Sequence, residues 1–142
     1  MSIAHLFESG EMKEHKGAFR NLIMMAMSDG VLSPEEEKLL TKMAKNLDLS
    51  DSDVEEIRSN PEAYPVHPPH DKEDRHRRMI SMIVMAVVDH EIDQEEITIL
   101  NRLAIGLGYK EQQAAELTNR ILHGLRIGMS EEEILDELME SR

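Results

Sequence analysis

Apolar residues recur along this chain at intervals of three and four, which is the spacing of one face of an α-helix. Between His15 and Ser28, for example, Phe19, Leu22, Ile23 and Ala26 fall on one such face. No segment alternates apolar and polar residues with a period of two, so no β-strand is predicted. The fold class is therefore expected to be all-α.

Capping residues and helix breakers divide this pattern into about seven helices. Ser33, followed by Pro34 and Glu36, is typical of a helix N-terminus with a capping box, because Ser and Glu then bond to each other's backbone N–H groups. Asp93 and Ser130 are comparable start signals further along the chain. The predicted helices cover residues 15–28, 33–47, 50–58, 71–88, 93–107, 110–124 and 130–141, and a short extra helix in residues 1–12 is expected to end near Gly10.

The chain also contains an internal repeat. Residues 59–71, SNPEAYPVHPPHD, hold four of the five prolines and interrupt the helical pattern. On either side, residues 22–49 and 82–109 match at an offset of sixty. Nine identities exceed the roughly two that residue frequencies would give by chance. The identical pairs are Ile23/Ile83, Met25/Met85, Ala26/Ala86, Asp29/Asp89, Glu35/Glu95, Glu36/Glu96, Leu40/Leu100, Ala44/Ala104 and Leu47/Leu107.

This duplication predicts one domain built from two similar halves. Neither half has enough helices to bury its own apolar face, so each is expected to pack against the other. The expected organisation is a single domain over residues 1–142, in which the long helices of the two halves pack antiparallel about a pseudo-twofold axis. Its parts are a first repeat at 15–60, a proline-rich linker at 61–72, a second repeat at 73–125 and a C-terminal helix at 130–141.

Charge and composition narrow the classes of partner. The chain has 16 Lys and Arg residues against 29 Asp and Glu residues, a net charge of −13. Such a surface is repelled by phosphates, so neither nucleic acid nor insertion into a membrane is expected. Because there is no cysteine, disulfides and thiolate metal sites are excluded. The longest apolar stretch, residues 79–88, is too short to span a bilayer, and we expect a cytoplasmic protein.

Two acidic turns are the most distinctive motifs. MSDGVLSPEE occupies residues 27–36, and VVDHEIDQEE occupies residues 87–96. An EF-hand loop aligned on Gly30 would place Met25 and Met27 at the first and third ligand positions. Thioethers are poor ligands for a hard cation, so an EF-hand is excluded. Two interpretations remain open: the turns only cap helices, or they also hold a cation.

The helix-terminal aspartates favour a cation site. Asp29 and Asp89 lie at the C-terminal ends of long helices, where the helix dipole disfavours negative charge by a few tenths of a kcal/mol. A capping-box glutamate folds back toward the same turn. Oxygen ligands suit Ca²⁺, Mg²⁺ or Mn²⁺. The candidate ligands are Asp29, Ser33 and Glu36 in the first turn and Asp89, Asp93 and Glu96 in the second.

The second turn carries further candidate ligands. Asp93 adds a carboxylate where the first turn has a serine, so the second turn is expected to bind a cation more tightly. His90 is an additional candidate ligand there. A separate zinc site can be drawn from His67, His70, Asp71 and His76, but it lacks the cysteines that often complete such sites.

The two turns resemble those of the TerB-like tellurite-resistance family. The first reads Asp-Gly-x-aliphatic-Ser-x-x-Glu, and the helices that follow the two turns end in NLDLS and GLGYK. The resemblance covers roughly residues 15–125. It implies an all-helical fold with two pseudo-symmetric halves, no established enzymatic activity, and an association with metal and oxyanion stress. Related domains occur in J-domain co-chaperones, and the family's suggested metal sites map onto the six ligands named above.

Together these observations favour a non-enzymatic stress-response or adaptor domain. No phosphate-binding loop, nucleophile elbow or zinc-protease motif is present. The expected partners are other proteins, with a homodimer left open. No cofactor is required, although a hard divalent cation is the candidate ligand. The alternatives are a metal-dependent hydrolase that uses the paired carboxylates, and a purely structural protein-interaction domain.

Overall fold

The protein is a bundle of helices. A computed structural model describes residues 9–28, 32–59, 69–87 and 92–140, and within these ranges it contains seven α-helices and no strand. The predicted all-α class is therefore confirmed. The helices are α1 Ser9–Ser28, α2 Pro34–Asn46, α3 Asp51–Ser59, α4 Lys72–Val87, α5 Gln94–Gly106, α6 Glu111–Arg126 and α7 Glu131–Glu140.

The start of α1 differs from the sequence prediction. The helix begins at Ser9 rather than at His15, and Gly10 lies inside it instead of ending a separate short helix. Gly10 is the second residue of this 20-residue helix, and a glycine there costs at most about 1 kcal/mol relative to alanine. Residues 1–8, where the rest of the short helix was expected, lie outside the described part of the chain.

Helix α4 lies at the centre of the bundle. It packs against α1, α2, α5, α6 and α7. Every residue from Met79 to Ala86 is buried, so this part of the helix is covered on all sides. Its apolar run therefore belongs to the core.

Methionine, leucine and isoleucine build the core. Aromatic residues are only 3% of the chain, and one phenylalanine, Phe19, is fully buried. Methionine has a flexible, polarizable side chain that fills irregular gaps between helices. The largest fully buried side chains are Phe19, Ile23, Leu39, Met43, Leu47, Met79, Met82, Ile83, Met85, Leu100 and Ile121.

The helices that follow the two acidic turns end in the same way. Just beyond α2, Asp48 has a φ of 58°, and just beyond α5, Gly108 has a φ of 113°. The N–H of the next residue then bonds to a carbonyl five residues earlier, at 2.9 Å after α2 and 3.3 Å after α5. This closure satisfies carbonyl groups that the helix end would otherwise leave free. The two repeats thus share a local ending, while the pseudo-twofold arrangement of the halves stays a prediction.

Candidate functional site

The first acidic turn leads into α2 through a complete capping box. Ser33 is the N-cap, and its Oγ accepts a hydrogen bond from the Glu36 N–H at 3.0 Å. In return, the Ser33 N–H donates to Glu36 Oε1 at 3.1 Å. Pro34 occupies the first turn, where the absence of its N–H costs nothing. The predicted cap is present, and it holds the Glu36 carboxylate against the segment that precedes the helix.

The second turn repeats this arrangement with aspartate in place of serine. The Glu96 N–H donates to Asp93 Oδ1 at 2.8 Å, and the Asp93 N–H donates to Glu96 Oε1 at 3.2 Å. Asp93 also has the extended backbone of an N-cap, with φ −91° and ψ 171°. Two carboxylates therefore lie at the beginning of α5, where the helix dipole favours negative charge.

The proposed ligand sets extend beyond the described residues. Asp29 and Asp89, together with Gly30 and His90, lie in the ranges 29–31 and 88–91, outside the described part of the chain. Among the residues that the structure does describe, no group of three or more His, Asp or Glu side chains is arranged to hold a metal. The convergence of each aspartate on its capping glutamate therefore stays a prediction.

A lysine from α2 contacts the second turn, which the sequence analysis did not anticipate. Lys42 Nζ lies 3.0 Å from Glu96 Oε2, and the two side chains are only 21% and 18% exposed. One oxygen of Glu96 thus accepts from the Asp93 N–H and the other from an ammonium group. Within the described residues, by contrast, no lysine or arginine forms an ion pair with Glu36. The second turn thus contacts a cation of the protein itself through Glu96.

The surroundings of Lys42 are basic. A cleft of about 370 Å³ between α2 and α5 borders the ion pair. Three lysines on one face of α2 contribute to it, because residues three and four apart lie on the same side of a helix. Its lining residues are Lys38, Thr41, Lys42, Lys45, Asn46 and Glu96. Positive charge therefore offsets the extra carboxylate that Asp93 brings to the second turn.

The alternative zinc cluster is not assembled in the described residues. His76 is buried, and its Nδ1 lies 2.6 Å from the Tyr109 hydroxyl, with the two rings stacked 5.7 Å apart. His70 is 79% exposed and lies 3.4 Å from Asp71. His67 falls outside the described part of the chain. The structure thus places His76 in a packing role that sequence spacing did not indicate.

Burial controls the ionisation of the His76 pair. Desolvation lowers the pKa of the His76 imidazole below its ordinary value of 6.5, and the nearby charges of Lys72, Arg75 and Arg120 lower it further. Desolvation likewise raises the pKa of the Tyr109 hydroxyl, with a smaller opposing effect from Arg75. The pair is therefore neutral near pH 7.

The first half of the chain matches a known family. A family model described as "Tellurite resistance protein TerB" matches residues 6–59, which contain the first acidic turn and α2. The resemblance to the TerB-like tellurite-resistance family is therefore confirmed on this segment. The match ends at Ser59, so the resemblance of the second half stays a prediction. No curated protein and no solved structure matches the chain significantly.

The structure also bears on membrane insertion. None of the helices in the described residues combines the length and the apolar character that crossing a bilayer requires.

Proposed function

We propose that the protein is a non-enzymatic, TerB-like adaptor whose acidic hairpin turns bind a hard divalent cation weakly. The observation that carries the proposal is the folding back of two glutamates. Glu36 and Glu96 each bond to the backbone of the residue that precedes their helix, at 3.1 and 3.2 Å. A carboxylate is thereby held at each turn by the protein's own backbone. Such preorganisation reduces the entropy lost on binding a cation.

The short connection between the helices supports the participation of Asp29. Helix α1 ends at Ser28 and α2 begins at Pro34, so Asp29 is separated from Ser33 by three residues. A divalent cation near both groups would offset the unfavourable charge of Asp29 at the C-terminus of α1. Two carboxylates and a hydroxyl are oxygen ligands of the kind that Ca²⁺, Mg²⁺ and Mn²⁺ prefer.

The ion pair favours the first turn as the better site. The number of carboxylates alone predicts a higher cation affinity for the second turn, because Asp93 takes the place of Ser33. Lys42, however, is already bonded to Glu96 Oε2 and would have to move or be repelled when a cation binds. We therefore propose that the first turn binds a cation more tightly than the second.

Calorimetric titration with Ca²⁺, Mg²⁺ and Mn²⁺ tests the cation site. We expect the wild-type protein to bind with a dissociation constant near the millimolar range, Asp29→Asn to lose the tighter phase, and Asp89→Asn to retain it. The cation site would be refuted if no cation binds at millimolar concentrations and both variants are at least as stable as the wild type. The turns would then only cap helices, and their additional carboxylates would have no ligand. If both variants are less stable than the wild type in the absence of metal, the two aspartates act instead as structural hydrogen-bond acceptors.

A second experiment separates the adaptor from an enzyme. The full chain is incubated with Mn²⁺ and generic phosphoester and peptide substrates, and it is also used as bait in the source cell extract. We expect no metal-dependent turnover and recovery of the same protein partners in independent preparations. Turnover that Asp29→Asn or Asp89→Asn abolishes would instead identify a metal-dependent hydrolase.

A further inference from the structure

A largely apolar cavity lies between α1, α4 and the end of α5. Its volume is about 350 Å³, which falls at the lower end of the range for small-molecule sites. Three methionines, Met25, Met82 and Met85, contribute to its walls. The other lining residues are Ala18, Asn21, Leu22, Pro69, Arg78, Gly106, Leu107 and Gly108.

Gly106 lines this cavity, and the Met25 side chain lies close against it. The repeat alignment pairs Gly106 with Asn46 and Met25 with Met85. At the end of α2, Asn46 is buried, and its Nδ2 donates to the Met85 carbonyl at 2.7 Å. At the end of α5, Gly106 has no side chain, and a Cβ there would lie 3.1 Å from Met25 Sδ. The cavity thus lies beside a glycine of the second half, whereas the aligned position of the first half carries a buried asparagine side chain.

The lining indicates the chemical class of a ligand. An apolar cavity of about 150 Å³ inside a protein stays dry and accepts benzene, so one of 350 Å³ has room for roughly fourteen non-hydrogen atoms. Methionine side chains adapt their shape to such a ligand. The polar groups on the wall are few, and Arg78 supplies the positive charge among them.

A second arginine lies near the same wall. Arg75 Nε is buried and has no hydrogen-bond partner among the described residues. A Cβ on Gly108, which lines the cavity, would lie 3.4 Å from that nitrogen. Arg78 itself is 17% exposed and contacts Asp74 at 3.1 Å, so a ligand carboxylate would share this guanidinium with an existing acid. Guanidinium groups provide several donors and can accommodate such sharing.

We propose that this cavity binds a small amphiphile with an apolar body of about ten carbons and one carboxylate. The body packs against Met25, Met82 and Met85, and the carboxylate accepts hydrogen bonds from Arg78. This site is separate from the acidic turns, so it does not depend on the proposed cation binding.

Decanoate and decanol are matched probes for this site. We expect decanoate to bind the full-length protein with one-to-one stoichiometry and to shift the methionine methyl signals of Met25, Met82 and Met85 in NMR spectra. Decanol, which lacks the charge, is expected to bind about tenfold more weakly. Arg78→Gln is expected to weaken decanoate binding by a similar factor and to leave decanol binding unchanged.

Filling the cavity provides the decisive variant. Gly106→Asn, which restores the residue found at the aligned position, should abolish decanoate binding while the circular dichroism spectrum stays helical. Gly17→Asn is the matched control, because a Cβ at Gly17 meets no atom within 4 Å, and it should bind as the wild type does.

Several outcomes would overturn the proposal. One is that decanoate shows no saturable binding at 1 mM. Another is that the methyl shifts spread over the other core methionines. A third is that Gly106→Asn folds and still binds decanoate as tightly as the wild type. Equal binding of decanol and decanoate would also overturn it, because it removes the role of Arg78. The methyl shifts of the wild-type protein keep the proposal falsifiable even if Gly106→Asn fails to fold.

Discussion

Lys42 of α2 and Glu96 of α5 connect the two halves of the chain through an ion pair of 3.0 Å between Nζ and Oε2. The two residues are 54 positions apart. The pair occupies one oxygen of the carboxylate that the second capping box holds at its turn. A cation that enters this turn must therefore compete with an ammonium group that belongs to the protein itself.

Removing that ammonium group should strengthen cation binding at the second turn. Lys42→Met keeps an unbranched side chain and deletes the charge, so we expect the Mn²⁺ affinity of this turn to rise several-fold. The free energy of unfolding should change by less than about 1 kcal/mol, because most ion pairs near the surface contribute little net stability. Isothermal titration calorimetry and urea denaturation measure the two effects.

Lys38→Met is the matched control for this change. Lys38 lies on the same face of α2 and borders the same cleft, but Lys42 is the lysine that contacts Glu96. Its substitution should alter the affinity much less. An unchanged affinity of the second turn in Lys42→Met would contradict the competition between Lys42 and a bound cation.

The capping role of Ser33 should be independent of any metal. Its Oγ accepts from the Glu36 N–H, so Ser33→Ala leaves that donor without its partner. We expect a loss of about 1 kcal/mol in the free energy of unfolding, equal with and without EDTA. Ser52→Ala, an exposed change in α3, should have an effect below about 0.5 kcal/mol. If EDTA alone lowered the free energy of unfolding of the wild-type protein by the same amount, a bound cation rather than the cap would stabilise the turn.

Acidification should destabilise the fold through His76. Burial lowers the pKa of this imidazole in the folded state, so the unfolded chain binds a proton first as the pH falls below about 6.5. Stability is therefore complete above that pH and decreases as the pH falls toward the lower pKa of the folded state. His76→Gln should reduce the slope of the unfolding free energy against pH between pH 7.5 and 5, measured by denaturant titrations. An identical slope in His76→Gln and wild type would show that His76 does not contribute.

Two helical glycines should respond oppositely to alanine. A Cβ at Gly124 in α6 would lie 3.0 Å from Ile134 Cγ1, whereas one at Gly17 in α1 meets nothing within 4 Å. Alanine normally stabilises a helix interior by about 0.5–1 kcal/mol relative to glycine. We expect Gly17→Ala to show this gain and Gly124→Ala to lose about 1 kcal/mol or more through crowding between α6 and α7. Thermal unfolding followed by circular dichroism distinguishes the two; a gain in both variants would refute the close packing at Gly124.

Local signals explain the features that could be predicted from the sequence. The helical spacing of apolar residues and the capping boxes at Ser33 and Asp93 involve neighbours within four positions, so the pattern predicts them directly. Gly10 was misinterpreted as a helix end because glycine weakens a helix without necessarily breaking it. The first repeat also carried enough of the TerB pattern for the family to be recognised.

The features that the sequence did not predict depend on contacts between residues that are far apart in the chain. The pairing of Lys42 with Glu96 depends on how α2 packs on α5, which local spacing does not encode. The burial of His76 against Tyr109 likewise follows from packing between distant residues, and it removes His76 from the zinc cluster that spacing suggested. The cavity beside Gly106 depends on the side chain of Met25 from α1.

Paramagnetic broadening by Mn²⁺ tests the cation site of the first turn most directly. The amide signals of ¹⁵N-labelled protein are followed during titration, with the exposed first-turn acids Glu132 and Glu133 of α7 as an internal reference for non-specific binding. We expect saturable broadening that is strongest around Ser33 and Glu36, weaker around Asp93, and lost in Asp29→Asn. Broadening that is equal at α7 and at both turns, or that persists unchanged in Asp29→Asn, would contradict the proposed cation site.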